Sequence, residues 1–311
     1  MDLRQLQAFL AVVEHGGFTA AARATHTVQS NISTHVARLE RELDATLIDR
    51  ATGLTTQEGD AVVSRVRRIQ SELDSLQADV SSLRGSPRGT VRIGIIGTTA
   101  RWVTPLLVDA LARKAPEVHL VIAEGTTTSL ILRLLDGGLD LCVVGLPVDE
   151  PEVRCEPLFT EDRIVIAPSD HELASADGPV SMADLAKHRL LLAAEGTPFR
   201  QEVDHAFADH GLRATPQLEV DGLRLMASLA FQGYGVAIVP ATAIPGWLGG
   251  SWVSISVPGL GQRSVGVAVR RRGMPSVAAQ VTEDALHSIV AAEAEHVDGV
   301  FAAANSGRTD A

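Results

Sequence analysis

Residues 18–50 read FTAAARATHTVQSNISTHVARLERELDATLIDR, and this stretch decides how the head of the chain folds. A short run carrying Phe18, Ala21, Ala22 and Thr25 is followed by a break and then by a second, amphipathic segment. In that segment Ile32, Val36, Leu39 and Leu43 recur at helical spacing, which lays one apolar stripe along a helix. The alanines of the first run let two helices approach closely. The opposite face carries Gln29, Ser30, Ser33, Thr34, Ala37, Arg38 and Arg41, and short hydrogen-bonding side chains near a helix start suit base edges and phosphates. The pattern predicts a helix-turn-helix whose DNA-reading set is Thr19, Gln29, Ser30, Asn31, Ser33, Thr34, Arg38 and Arg50. A plain helical hairpin with a solvated polar face is the alternative.

Upstream, Leu3, Leu6, Phe9 or Leu10, and Val13 give a first helix its buried face, and His15-Gly16-Gly17 stops it. Downstream, Val62, Val66, Ile69, Leu73, Leu76, Val80 and Leu83 alternate by fours and threes, a heptad seam of about three heptads. Val66, Ile69, Leu73, Leu76 and Val80 are therefore expected to pair two subunits, the rival reading being a helix packed along its own C-terminal domain. Gly85-Ser86-Pro87-Arg88-Gly89 ends that helix and forms a hinge.

Beyond the hinge the period changes. Residues 90–96, 118–123 and 139–144 are β-rich runs separated by helical stretches, as in βαβ units. A second series begins at 161–167 and continues through 189–193, 217–220 and 236–239, with helices near 198–211 and 223–233. Residues 264–270 return toward the first series, and 277–293 form a closing helix. Two parallel-sheet lobes joined by crossing strands enclose a cleft, where ligands of open α/β sheets sit. Three turns face that cleft: Gly97-Thr98-Thr99, Gly125-Thr126-Thr127-Thr128, and Glu195-Gly196-Thr197-Pro198-Phe199-Arg200. Each offers hydroxyls and unpaired N–H groups at a helix start, a favourable place for an anion. Taken singly, the threonines also read as ordinary N-caps. Arg200 or Arg101 is placed to meet a carboxylate, or else is a solvated surface charge.

Composition narrows the class. The 311 residues allow two or three domains, 45% are hydrophobic and only 4% aromatic, and the formal charge is −11. That charge excludes a protein that coats nucleic acid nonspecifically. Only a local cluster of Arg23, Arg38, Arg41 and Arg50, joined by Arg65, Arg67 and Arg68, can meet phosphates. No run approaches a membrane span and no signal peptide is visible, so a cytoplasmic protein is expected. The two cysteines, Cys142 and Cys155, lack C-x-x-C spacing. Cys142 reads as core packing, and a peroxide-sensing pair is the alternative. No metal cluster, paired carboxylate or nucleophile–base set stands out, and the Gly94, Gly97 spacing of VRIGIIG lacks the full G-x-G-x-x-G. Neither enzyme, cofactor nor metal is expected.

The opening MDLRQLQAFLAVVEHGGFTAAA, the QSNIS that follows, the ARLERELDATLIDR run and the closing Glu58-Gly59 resemble the LysR-type transcriptional regulators. FQGYGVAIVP near the C-terminal end is similar to a strand approach of their effector domain. The resemblance implies an α/β chain: an N-terminal winged helix-turn-helix, a long linker helix, and a two-lobed α/β effector domain resembling periplasmic binding proteins. The expected limits are 1–58, 59–89 and 90–304, and the small polar composition from about Asn305 predicts a disordered tail at 305–311. The resemblance carries Thr98, Thr99, Thr126, Thr127 and Thr197 over as effector-binding residues, to which the charge beside the third turn adds Arg200. The partners it implies are double-stranded DNA, a small-molecule effector, further copies of the chain as dimer or tetramer, and RNA polymerase; the turn chemistry adds that the effector is anionic, and the lack of an apolar span adds that no membrane is involved. Departures are visible too. Thr27 and Val28 stand in reverse of the usual Val-Ser order, which moves the expected cap to Thr27; Thr34 replaces a common arginine; and the wing, ATGLTT, lacks its second basic residue. A small-molecule-binding protein or an enzyme using the cleft is the remaining alternative, but neither explains the head or the seam.

Overall fold

The computed structural model describes residues 1–83, 85–175 and 179–303. Its head is built from α1 (Leu3–His15), α2 (Phe18–Ala24) and α3 (Gln29–Leu43). A capping box between Asp2 and Gln5 starts α1, and Gly16, in the left-handed region, ends it. Ile32, Val36 and Leu39 are buried from α3 against Phe9, Val12, Ala21 and Ala22. Leu43, expected on the same stripe, is exposed, because the helix ends there and Asp44 turns left-handed. The wing is a tight turn closed by a bridge between Ile48 and Thr55.

Helix α4 (Gln57–Ser82) begins where Thr56 accepts from the Gly59 N–H at 3.0 Å. A Cβ at Gly59 would meet the Leu47 carbonyl oxygen at 2.1 Å, so only glycine lets α4 pack this closely on the head. Val63 and Val66 complete the head's core. Val66 therefore serves its own subunit rather than a partner, a correction to the seam, whose later members Ile69, Leu76 and Val80 are exposed and Leu73 half-buried. The polar side of α4 is tied to the next domain through Arg67–Asp136, Arg68 to the Leu135 carbonyl, and Ser71–Asp140.

The remainder forms two lobes. The first contains β1 (Arg88–Ile96), α5 (Gly97–Lys114), β2 (Glu117–Gly125), α6 (Thr127–Leu135) and β3 (Leu141–Leu146). A long strand, β4 (Val153–Pro168), then enters the second lobe, made of α7 (Met182–Leu185), β5 (Arg189–Ala193), α8 (Pro198–Ala208), β6 (Thr215–Val220), α9 (Leu223–Phe231), β7 (Val236–Pro240) and β8 (Trp252–Ser256). The chain returns through β9 (Gln262–Arg270) and closes with α10 (Val277–Glu293) and β10 (Val300–Ala302). Strand order is β2-β1-β3-β9-β4-β7-β5-β6, with β8 and β10 both on β4. The lobes are parallel at their outer strands only, since β9 runs antiparallel between β3 and β4.

One expectation fails here: β4 begins at Val153 rather than residue 161, and it belongs to both lobes. Its register shifts between Pro157 and Phe159, where proline has no N–H to give the ladder. Each lobe has its own apolar core. The tail from residue 305 lies outside the described residues.

Candidate DNA-reading face and effector cleft

Thr19, Gln29, Ser30, Asn31, Thr34, Arg38 and Arg50 are all exposed, and Ser33 is half-buried. Several are already engaged. Thr19 donates to the Gln29 amide oxygen at 3.2 Å, and Asn31 donates to Thr27 Oγ1 at 3.1 Å. The N-cap of α3 is Val28, with no side-chain bond, so Thr27 does not cap; the Asn31 N–H turns back to the Val28 carbonyl at 3.0 Å, which leaves the N–H groups of Gln29 and Ser30 for a phosphate. Thr34 donates to the Ser30 carbonyl at 2.8 Å and toward DNA can only accept. Arg50 lies 3.4 Å from Glu40 Oε2 and 5.5 Å from the Phe18 ring centroid. The other oxygen of Glu40 accepts from the N–H groups of Leu47 and Ile48, so one carboxylate ties α3, the wing and Arg50 together. Arg67 and Arg68 are not available to phosphates, being committed to the first lobe.

At the junction of the lobes, Thr98 and Thr99 are buried in the first turn of α5, which has no side-chain cap. Thr98 Oγ1 accepts from Arg263 Nη2 at 2.9 Å. Arg263 Nε donates to Glu161 Oε1 at 2.8 Å, and Glu161 Oε2 accepts from the Thr242 N–H at 2.8 Å. The guanidinium also lies 5.6 Å from the centre of the Phe199 ring. Shared strands β4 and β9 thus meet α5 and α8 at one buried ion pair, whose charges are matched and hydrogen-bonded. The hydroxyls of Thr99 and Thr242 are shut off from solvent without a hydrogen-bond partner among the described residues.

Around this junction the lobes are bridged. Arg224 of α9 pairs with Glu124 at the end of β2, and Arg101 donates to the Ala243 carbonyl. A Cβ on Gly97 would sit 2.7 Å from Glu124 Oε1, so glycine lets that carboxylate approach the α5 N-terminus. Arg101 Nε has no hydrogen-bond partner among the described residues, and burial, then the neighbouring Arg224, lower the pKa of Arg101 below the ordinary arginine range. Two cations therefore face one acid.

Of the six predicted effector residues, Thr98 and Thr99 lie at this junction. Thr126 and Thr197 are N-caps of α6 and α8, each accepting from the N–H three residues on. Thr127 Oγ1 accepts from the Gly145 N–H at 3.1 Å. Arg200 is not free for an effector: it is buried and bonded to Asp204, Glu219 and the Ala193 carbonyl within its own lobe. Glu124, Glu161, Arg224, Thr242 and Arg263 were not foreseen, and no local motif marks them. A separate cavity of about 360 Å³, lined by Val180, Met182, His210, Leu212 and Pro258, is largely apolar and offers little to orient a polar ligand.

The family model described as the bacterial regulatory helix-turn-helix protein, lysR family, matches residues 3–60, and that of the LysR substrate binding domain matches residues 84–290. The chain belongs to the LysR family. It is a DNA-binding transcriptional regulator with an effector-binding domain. A probable hydrogen peroxide-inducible genes activator of Streptomyces viridosporus is 32% identical over 248 residues, 78% of this chain and 78% of that protein. Full-length OxyR from Pseudomonas aeruginosa superposes with a TM-score of 0.73 at 24% identity, covering 94% of this chain and 95% of that one. CbnR in complex with its target DNA gives 0.69 at 22%, covering 93% and 100%. These two show the fold alone.

In this LysR-family chain Cys142 and Cys155 are both free and both stand opposite Ala268, on either side of β9. Two strand spacings put their Cα atoms about 10 Å apart, beyond the roughly 7 Å a disulfide spans.

Proposed function

We propose that this LysR-family regulator is a cytoplasmic dimer or tetramer that reads DNA through α3 and the wing and responds to a small anionic metabolite held between its lobes. It acts by binding, without catalysis. The observation that carries the effector site is the buried, unpartnered hydroxyl of Thr99 in the uncapped first turn of α5. An acceptor-rich anion there would take up the N–H groups, the Thr99 and Thr242 hydroxyls and the surplus charge of Arg101 and Arg224. Binding would shift one lobe against the other about β4 and β9, and α4 would carry that change to the spacing of the heads. A thiol-based peroxide response, suggested by the relatives' names, is disfavoured by the separation of the two cysteines across β9.

The test is a thermal-shift screen of small carboxylates, followed by calorimetric titration of the best into wild type and Thr99→Val. Because the Thr99 hydroxyl is unpaired without ligand, its removal should leave the free protein as stable or more so. Affinity should fall by a fewfold to about a hundredfold, the loss of roughly 0.5–3 kcal/mol for one hydrogen bond, the upper end applying to a charged acceptor. Equal affinity in both proteins would place the effector elsewhere.

A further inference from the structure

The first turns of α2 and α3 are joined by a polar bridge on the exposed side of the head. Thr19 is the second residue of α2 and Gln29 the first of α3, and the Thr19 hydroxyl donates to Gln29 Oε1 at 3.2 Å. An amide is planar and carries its oxygen and its nitrogen on opposite branches of one carbon. With Oε1 turned to Thr19, Nε2 and its two N–H donors are turned away from α2, and no described residue accepts from them. The neighbouring side chains are committed in the other sense. Thr34 gives its hydroxyl hydrogen to the Ser30 carbonyl, and Asn31 Nδ2 gives one of its hydrogens to Thr27.

This bridge bears on which base Gln29 can read. A free glutamine reads adenine with both arms of its amide, the oxygen accepting from N6 and the nitrogen donating to N7. An oxygen already held by Thr19 is withdrawn from that pairing. Guanine presents N7 and O6, both acceptors, on its major-groove edge, and these suit the two donors of Nε2. We propose that Thr19 is a positioning residue that holds Gln29 as a donor and so directs it to guanine, a proposal that rests on α3 being the helix that reads bases. Both residues are exposed in the free chain, where water competes for the bond. Docking on DNA displaces that water and lowers the local dielectric, which strengthens the bond where it is needed. Holding the amide in one orientation beforehand also reduces the side-chain entropy lost on binding.

The experiment is selection of binding sites from a random duplex library by the full-length protein as wild type, Gln29→Ala, Thr19→Val and Thr19→Ser, with a thermal melt of each. Gln29→Ala identifies the base pair that Gln29 reads, because the preference there is flattened. At that pair wild type should favour G·C over A·T by about 2- to 10-fold, the worth of one neutral hydrogen bond, and 7-deazaguanine, which lacks the N7 acceptor, should forfeit the gain. Thr19→Val should abolish the preference or turn it toward A·T while other pairs keep theirs, and Thr19→Ser, which retains the hydroxyl, should restore it. If Thr19→Val melts early, Thr19→Ala takes its place, since alanine suits a helix better than a β-branched residue.

Three results would overturn the proposal. One is uniform weakening of all sequences by the Thr19 variants with G·C still favoured, which would make Thr19 a phosphate contact. Another is a wild-type preference for A·T, or indifference to 7-deazaguanine, either of which would mean that the amide oxygen is not withheld. The third is a Gln29→Ala pattern identical to that of wild type, which would remove the underlying reading of Gln29 as a base contact and the role of Thr19 with it.

Discussion

At Arg50 the guanidinium is aimed before DNA arrives, held by Glu40 on one side and stacked over Phe18 on the other. Pre-aiming lowers the entropy lost on meeting a phosphate. Arg50→Ala should therefore weaken all DNA sequences alike and lower the salt slope of binding by about one unit, measured by titration at several salt concentrations. A loss confined to one sequence would instead make Arg50 a base reader. Cys142 shows the opposite kind of environment. Burial pushes its thiol up to about 12, so the reactive thiolate is scarce at neutral pH. Mass spectrometry after peroxide treatment of the folded protein should find no Cys142–Cys155 disulfide, and alkylation of Cys142 should require denaturant; a disulfide would reopen the redox reading. How much of this was legible depended on sequence distance. The apolar spacing of Ile32, Val36 and Leu39 and the Thr98-Thr99 turn are local, and both were visible. Arg263, Glu161 and Thr242 meet only because β9, β4 and the end of β7 converge, which no local pattern encodes. Arg200 misled for the same reason, since the acid that helps hold it, Glu219, comes from the neighbouring strand β6.

Helix α4 serves three masters along its length. Its first turns bury Val63 and Val66 in the head, its polar side is tied to the first lobe, and Ile69, Leu76, Val80 and Leu83 remain exposed. The heptad pattern was legible in the sequence, but it could not tell which members pack within the subunit, because the same spacing serves both ends. Leu76 is 60% exposed and Val66 only 3%, and this difference separates two outcomes. Leu76→Asp should leave the melting temperature of the head unchanged and shift sedimentation toward monomer, because the charge would be buried only in an assembled seam. Val66→Asp places a charge in the head's core and should cost several kcal/mol of stability, seen as a lowered melting transition. An unaltered oligomer in Leu76→Asp would assign subunit pairing to another surface.

The two lobes share β4 and β9, and Arg224–Glu124 and Arg101–Ala243 add bridges across their junction. The overall division into head, helix and two lobes was legible because each has its own hydrophobic period, whereas the sharing of β4 was not, since its first half is broken by Pro157. Glu124 places an internal carboxylate beside the α5 N-terminus and against Arg224, where an anionic effector is proposed to bind. The two would compete. Both members of the pair are about half exposed, so it is worth no more than about 1 kcal/mol. Glu124→Gln should then tighten the carboxylate found by screening by about fivefold at most, the factor that corresponds to that energy. Arg224→Gln should weaken it, and added salt should reduce both differences. Calorimetry on the three proteins at two salt concentrations reads all of these signs at once. If Glu124→Gln instead weakens binding, the carboxylate is a contact rather than a competitor, and the effector must present a donor or a positive charge at that point.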